Sequence, residues 1–166
     1  SAIAIAKVIN EQSSTTAVYA DVNSTIVQLN NLTFSNYQGD LSTDKLAING
    51  VSILGTGVGS VNSFITAINT YSNSTGVKAR LQTSSVDDIE LYADDGRNIQ
   101  LQWTAATATT GLYGAFSSEA NYTAGFSTGV VFSTSTGYSA ATGIVRTGSI
   151  KLRSASAITI AGSTVS

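Results

Sequence analysis

The chain repeats itself once, at an offset of 59 residues and without a gap. Ile9 and Asn10 match Ile68 and Asn69, Thr16 matches Thr75, and Val18, Ala20 and Val22 match Val77, Ala79 and Leu81. Self-similarity of this kind means one supersecondary unit used more than once. Two copies are too few for a solenoid, whose inner repeats are each stabilised by a neighbour on either side. Any fold of this chain must therefore accommodate two like units.

The second copy declares its elements most clearly. Leu46 to Ile48 and Val51 to Ile53 flank Asn49 and Gly50, a two-residue hairpin signal that works because both turn residues need φ > 0. That loop sets Ile48 opposite Val51 and Leu46 opposite Ile53, so all four share one face. Val61, Phe64, Ile65 and Ile68 follow with the i, i+3, i+4, i+7 spacing of an amphipathic helix, and Ser60 is placed to cap it. Val77, Ala79 and Leu81 then alternate with Lys78, Arg80 and Gln82 as a half-buried strand. A second hairpin is predicted over 89–101. A three-residue loop of Asp94, Asp95 and Gly96 sets Leu91 against Ile99 and Ile89 against Leu101, with Gly96 left-handed in a bulge.

The first copy begins at its helix, around Ile5, Val8 and Ile9, and continues to a hairpin in which Val27 and Leu29 face Phe34 and Leu32 across Asn30 and Asn31. Its leading hairpin would lie ahead of Ser1, so the unit reads β-β-α-β-β and the first copy is truncated. Residues 104–147 are rich in Ser, Thr, Gly and Ala, interrupted by Tyr113, Phe116, Tyr122, Phe126, Phe132 and Tyr138, which suits short strands with glycine corners. At the end, Ile150 and Leu152 are expected to pair with Ile160 and Ile158 over a Ser154, Ala155, Ser156 turn. The expectation is an α+β, strand-dominated fold in three parts. Residues 1–40 form the truncated first unit and 41–103 the second. Residues 104–166 form a β-rich segment whose C-terminal hairpin packs back on the first unit.

Composition narrows the chemistry. Charged residues make up 11% of the 166, against about 25% in ordinary soluble domains. Ser and Thr fill more than a quarter of the chain instead, giving a hydroxyl-rich surface. A net charge of −2 provides no basic footprint for nucleic acid or an anionic membrane, and no apolar run of about 18 residues is present to span a bilayer. With no Cys there is no disulfide or thiolate site, and with no His the usual general base and commonest zinc ligand are gone. Ser–His–Asp and Cys–His catalysis are thereby excluded for this chain, and neither cofactor nor metal is expected. There is no Met or Pro, and residues 1–10 lack the pattern of a signal peptide. The chain is accordingly expected to be a piece of a longer protein.

Three signals invite chemical interpretation. Gly55, Gly57 and Gly59 stand between a strand and a helix, as in dinucleotide-binding folds. That fingerprint needs a glycine where Ser60 stands, a parallel βαβ unit and an acid ending the next strand. Here the strand belongs to an antiparallel hairpin and the next one ends at Leu81 and Gln82, so the glycines are assigned to a turn. Asp87, Asp88, Glu90, Asp94 and Asp95 are the one dense acidic group. Their spacing does not fit a helix–loop–helix Ca²⁺ site, and a solvated rim with Arg97 nearby accounts for them. The aromatics of 113–138 could stack on sugars, although strand cores commonly use such residues.

The stretch Leu46, Ala47, Ile48, Asn49, Gly50, Val51, Ser52, Ile53, followed by Phe64 to Asn69 (sequence FITAIN), by Thr75, Gly76, Val77, Lys78, Ala79 and by Asp95, Gly96, Arg97, Asn98, Ile99, resembles the "IN" motif of bacterial flagellins and of hook-associated and filament-cap proteins. The first copy is similar but carries Ala17 where the family favours Gly, the position of Gly76 in the second. Residues 130–143 and 148–162 look like the variable region of epsilonproteobacterial-type flagellins. The resemblance implies a structural, extracellular role in the flagellar filament, as surface-exposed outer domains beside neighbouring subunits, with Asn49, Gly50, Gly76, Asp95 and Gly96 as structural turn residues. It also implies O-glycosylation in 104–142, with Ser133, Thr134, Ser135, Thr136 and Ser139 as candidate acceptors. Flagellins polymerise through long helical ends, and no long heptad-like helix occurs here, so the isolated chain is expected to be a monomer without enzymatic turnover. A hook-associated or cap protein domain and a carbohydrate-binding adhesin module are the rival expectations.

Overall fold

The computed structural model describes residues 1–29, 41, 45–55, 58–82, 88–104 and 142–159. The elements run α1 (Ala2–Glu11), α2 (Ser13–Thr16), β1 (Tyr19–Val22), β2 (Thr25–Leu29), β3 (Lys45–Ile48), β4 (Val51–Ser52), α3 (Val61–Thr70), α4 (Ser72–Thr75), β5 (Lys78–Leu81), β6 (Ile89–Ala93), β7 (Ile99–Thr104), β8 (Thr142–Arg146) and β9 (Ile150–Arg153). The fold is α+β and strand-dominated. Its strands form three antiparallel sheets, ordered β1-β9, β2-β6-β5 and β4-β3-β7-β8.

The leading hairpin of the second copy forms in the register its turn requires. Ile48 pairs with Val51, and Ile53 N–H donates to the Leu46 carbonyl at 2.8 Å. Asn49 and Gly50 both have positive φ, at 51° and 80°, which gives the twist that right-handed strands accept. Leu46, Ile48 and Ile53 are buried, and Val51 is half-buried. Helix α3 buries Val61, Phe64 and Ile68. Ser60 caps it: its hydroxyl accepts from Ser63 N–H while the Ser63 hydroxyl accepts from Ser60 N–H. One of the first-turn amides that a phosphate would need, Ser63 N–H, is thus occupied, and Gly57 lies outside the described residues.

The two repeats coincide atom for atom at one device. The Asn69 side chain donates to the Ala79 carbonyl at 2.9 Å and accepts from Ala79 N–H at 2.7 Å. Asn10 does the same to Ala20, at 2.9 and 2.7 Å. A primary amide presents one donor and one acceptor side by side, so each Asn acts as a one-residue strand, tying its helix to the strand that follows. Between them the chain reverses through a left-handed residue, Ala17 (φ 54°) in one copy and Gly76 (φ 69°) in the other.

Two expected pairings are replaced. The turn after β6 forms, with Gly96 at φ 70° and its N–H on the Ala93 carbonyl, but β6 and β7 do not pair across it. β6 is flanked by β5 and β2, and β7 by β3 and β8, so both edges of each strand are taken. Leu91 and Ile89 still meet Ile99 and Leu101 in one core, as side chains of two different sheets. Likewise β9 pairs with β1, setting Leu152 against Ala20 and Ile150 against Val22, while Ile158 lies outside any strand and Ile160 outside the described residues. β2 leaves β1 and adds to β6, Val27 against Leu91; its expected partners Leu32 and Phe34 are not among the described residues. The main core draws on β2, β3, β5, β6, β7 and α3.

Helix α1 buries its smaller side chains. Its buried residues are Ala2 and Ala6, with Ile9 half-buried, and this stripe packs on β1 and β9. Ile5 and Val8, about which the helix was expected, are 55% and 61% exposed. Leu81 is also exposed, at the edge of its sheet.

Candidate functional site

The turn residues picked out in the sequence converge on one junction. Asn49 follows β3, and its side-chain amide donates to the Thr75 carbonyl at 2.9 Å while its Oδ1 accepts from Gln100 N–H at 2.8 Å. The hairpin turn is thereby bonded to the helix end on one side and to β7 on the other. Thr75 is fully buried; its hydroxyl accepts from Val77 N–H at 3.0 Å and bonds back to the Tyr71 carbonyl at 3.1 Å. A second donor, Nη1 of Arg97, lies 3.4 Å from the same Thr75 carbonyl.

Arg97 is held by Asp95. Its Nε lies 2.9 Å from Oδ2 and its Nη2 2.6 Å from the same oxygen, a charge-assisted, planar contact that fixes the guanidinium. The hydrogen bond from Arg97 is the main cause that holds the Asp95 carboxyl below its ordinary pKa, and burial opposes it. So placed, the guanidinium covers Gly76, where a Cβ would fall among its atoms. Gly76 thus has two reasons to be glycine: its left-handed φ, and the close approach of Arg97.

Gly96 meets the first unit in the same way. A Cβ there would strike the Val22 side chain and crowd the Asn23 carbonyl. A Cβ on Gly148 would in turn strike the Gly96 carbonyl and press on Ala2. Gly148 N–H donates to Asn98 Oδ1 at 3.1 Å, and Asn23 N–H donates to the Ser149 carbonyl at 2.9 Å. Asn49, Gly76, Asp95 and Gly96 are therefore parts of one seam joining the two units and the β8–β9 connection. Gly50 is in its tight turn with open space around it. Sequence reasoning did not find Arg97, Asn98 and Gly148 as members of this seam, nor the clamps of Asn10 and Asn69. For the clamps a signal existed, since the same amide recurs 59 residues apart.

The seam is structural in its chemistry. The described acids of the dense group are engaged: Asp94 with Lys78 at 3.2 Å, Glu90 with Arg80, and Asp95 with Arg97, while Asp88 also has a partner. No group of three or more acids that could hold a metal occurs among the described residues. A depression of about 600 Å³ lies beside β9, lined by Tyr19, Leu152, Ala155, Ile158, Lys151 and Arg153. Arg153 there is paired with Asp21, whose carboxyl pKa is lowered chiefly by that hydrogen bond. No described helix is long and apolar enough to cross a membrane. The candidate acceptors Ser133, Thr134, Ser135, Thr136 and Ser139, the 113–138 aromatics and Asp87 lie outside the described residues. No family model matches the chain, and no curated protein matches it.

Proposed function

We propose that the chain forms surface-exposed outer domains of a bacterial flagellar filament subunit, with a structural rather than enzymatic role. The observation that carries this is the run of residues 46–53, 64–69, 75–79 and 95–99, which resembles the flagellin IN motif. Supporting it, three segments of that run are bonded to one another through Asn49, Thr75 and Arg97, with the Arg97 guanidinium lying over Gly76. The motif therefore has a physical task in this chain, which is to hold a hairpin, a helix end and a turn together.

The surface suits lateral packing without strong attraction. Among the described residues, the ion pairs of Lys78 with Asp94, Arg80 with Glu90, Arg97 with Asp95 and Arg153 with Asp21 neutralise charged side chains, and exposed pairs contribute little, about 0–1 kcal/mol each. Stable protein interfaces bury more than about 1,000 Å², which flagellins obtain through their helical ends. The chain alone is then a monomer, and its partners are neighbouring subunits outside the cell. Antibody raised against this chain and imaged with gold on cells that make the parent protein tests the proposal. Label along the whole filament is expected. Label confined to the tip or to the hook junction would assign the chain to a cap or hook-associated protein instead, and unlabelled filaments would overturn the proposal.

A further inference from the structure

Asn49 and Gly50 have a reactivity as well as a shape. Where glycine follows asparagine, no Cβ shields the glycine nitrogen, which can attack the asparagine Cγ. The bond from Gly50 N to Asn49 Cγ forms and the Cγ–Nδ2 bond breaks. The side-chain nitrogen leaves as ammonia, taking the proton that Gly50 gives up. Water then opens the five-membered succinimide at either carbonyl. The product is aspartate or, with the main chain rerouted through the former side chain, isoaspartate. Water is the one co-reactant, and it reaches this turn, because Gly50 is exposed with open space around it.

What the turn withholds is freedom of the carboxamide. Its Nδ2 donates to the Thr75 carbonyl at 2.9 Å and its Oδ1 accepts from Gln100 N–H at 2.8 Å, while Asn49 N–H donates to the Gln100 carbonyl at 2.9 Å. Swinging Cγ onto the Gly50 nitrogen breaks both side-chain bonds. We propose that Asn49 is a latent modification site, kept intact by the closed seam and converted to isoaspartate or aspartate when the seam opens. The conversion is one-way for the fold. Either product lacks the N–H that the Thr75 carbonyl accepts and carries a negative charge in its place. Isoaspartate also adds a methylene to the main chain of a two-residue turn, whose length sets Ile48 against Val51. Neither product can rebuild the joint between hairpin, helix end and β7. The proposal rests on the seam and is independent of the filament reading.

Chromatographic peptide mapping with mass detection, after incubation of the whole chain in neutral buffer, reads aspartate and isoaspartate at position 49. The folded chain is expected to convert at least about a hundredfold more slowly than the same chain in urea, because reaction there needs a local opening. Gly76→Ala displaces Arg97 from beside the Thr75 carbonyl. It is expected to raise the rate at least about tenfold beyond any rise in exchange of the β6 amides, which report wider unfolding. Should Gly76→Ala fail to fold, Arg97→Ala, which truncates a half-exposed side chain, takes its place with the same expectation. A folded rate close to the rate in urea, or variant rates that only follow β6 exchange, overturns the proposal. Isoaspartate chain made in urea and returned to buffer is expected to exchange its Gln100 amide at least about tenfold faster than unconverted chain taken through the same cycle. Equal exchange would mean that the seam rebuilds, and would overturn the one-way conversion.

Discussion

Asn69 shows how much one side chain carries. Its amide satisfies both backbone groups of Ala79, a residue that is 5% exposed. Removing it leaves a donor and an acceptor unpaired, each costing about 1–3 kcal/mol. Asn69→Ala is therefore expected to lower unfolding free energy by about 2–4 kcal/mol in urea titrations. Ala17 is the opposite case, a residue held at φ 54° where the second copy has Gly76. An L side chain in that region costs about 1–2 kcal/mol, and glycine would return about 0.5–1 of this through the entropy of the unfolded chain. Ala17→Gly is expected to stabilise the protein by about 0.5–1 kcal/mol. Gly76→Ala should destabilise by more than that, since its Cβ would also displace Arg97. Equal and small effects at both sites would show that left-handed strain is not what distinguishes the copies.

Among the elements, β9 has the most informative position. It stands where a strand of the first unit would be expected, paired with β1 across most of the chain's length. The β1-β9 sheet has two strands, fewer than a sheet needs for stability on its own, so its order depends on α1 and on the seam around Gly96 and Gly148. Gly148→Ala forces a methyl into the Gly96 carbonyl and toward Ala2. Exchange of the β1 and β9 amides should then accelerate at least tenfold, with β2, β6 and β5 unchanged, because local opening of one unit need not unfold the other. Uniform acceleration in all five strands would mean that the two units unfold as one.

The molecule as a whole is unevenly built. Ten of its largest buried side chains, Phe64 among them, belong to the core shared by the second unit and β2. Phe64→Ala should cost about 3–5 kcal/mol, the transfer term plus the cavity it leaves. Ile5→Ser, at the equivalent position of the first copy, should fall within about 0.5 kcal/mol, as substitutions of exposed residues usually do. The comparison measures the asymmetry directly, using chemical denaturation of two variants at matched positions. Comparable losses would place Ile5 in a core of its own.

The residues alone determined the local geometry. Asn49 and Gly50 set the hairpin register, Ser60 capped α3, Gly96 took its left-handed turn, and alternation chose the inward faces of Leu46, Ile48, Ile89, Leu91, Ile99 and Leu101. These are short-range matters, decided by φ preferences, one hydrogen bond or a period of two. Which strand lies beside which was decided only in three dimensions. The backbone groups along an open edge are satisfied equally well by any partner of suitable polarity, so the pattern of β6 cannot distinguish β7 from β2, nor that of β1 foretell β9. The seam has the same division. Its glycines and Asn49 were legible as turn residues, but Arg97 over Gly76 and Gly148 against Gly96 arise from segments brought together by folding. Likewise Ile5 and Val8 are the larger apolar side chains of α1, yet the folded chain buries Ala2 and Ala6, because burial follows where a neighbouring sheet lies and not which side chain is the most apolar.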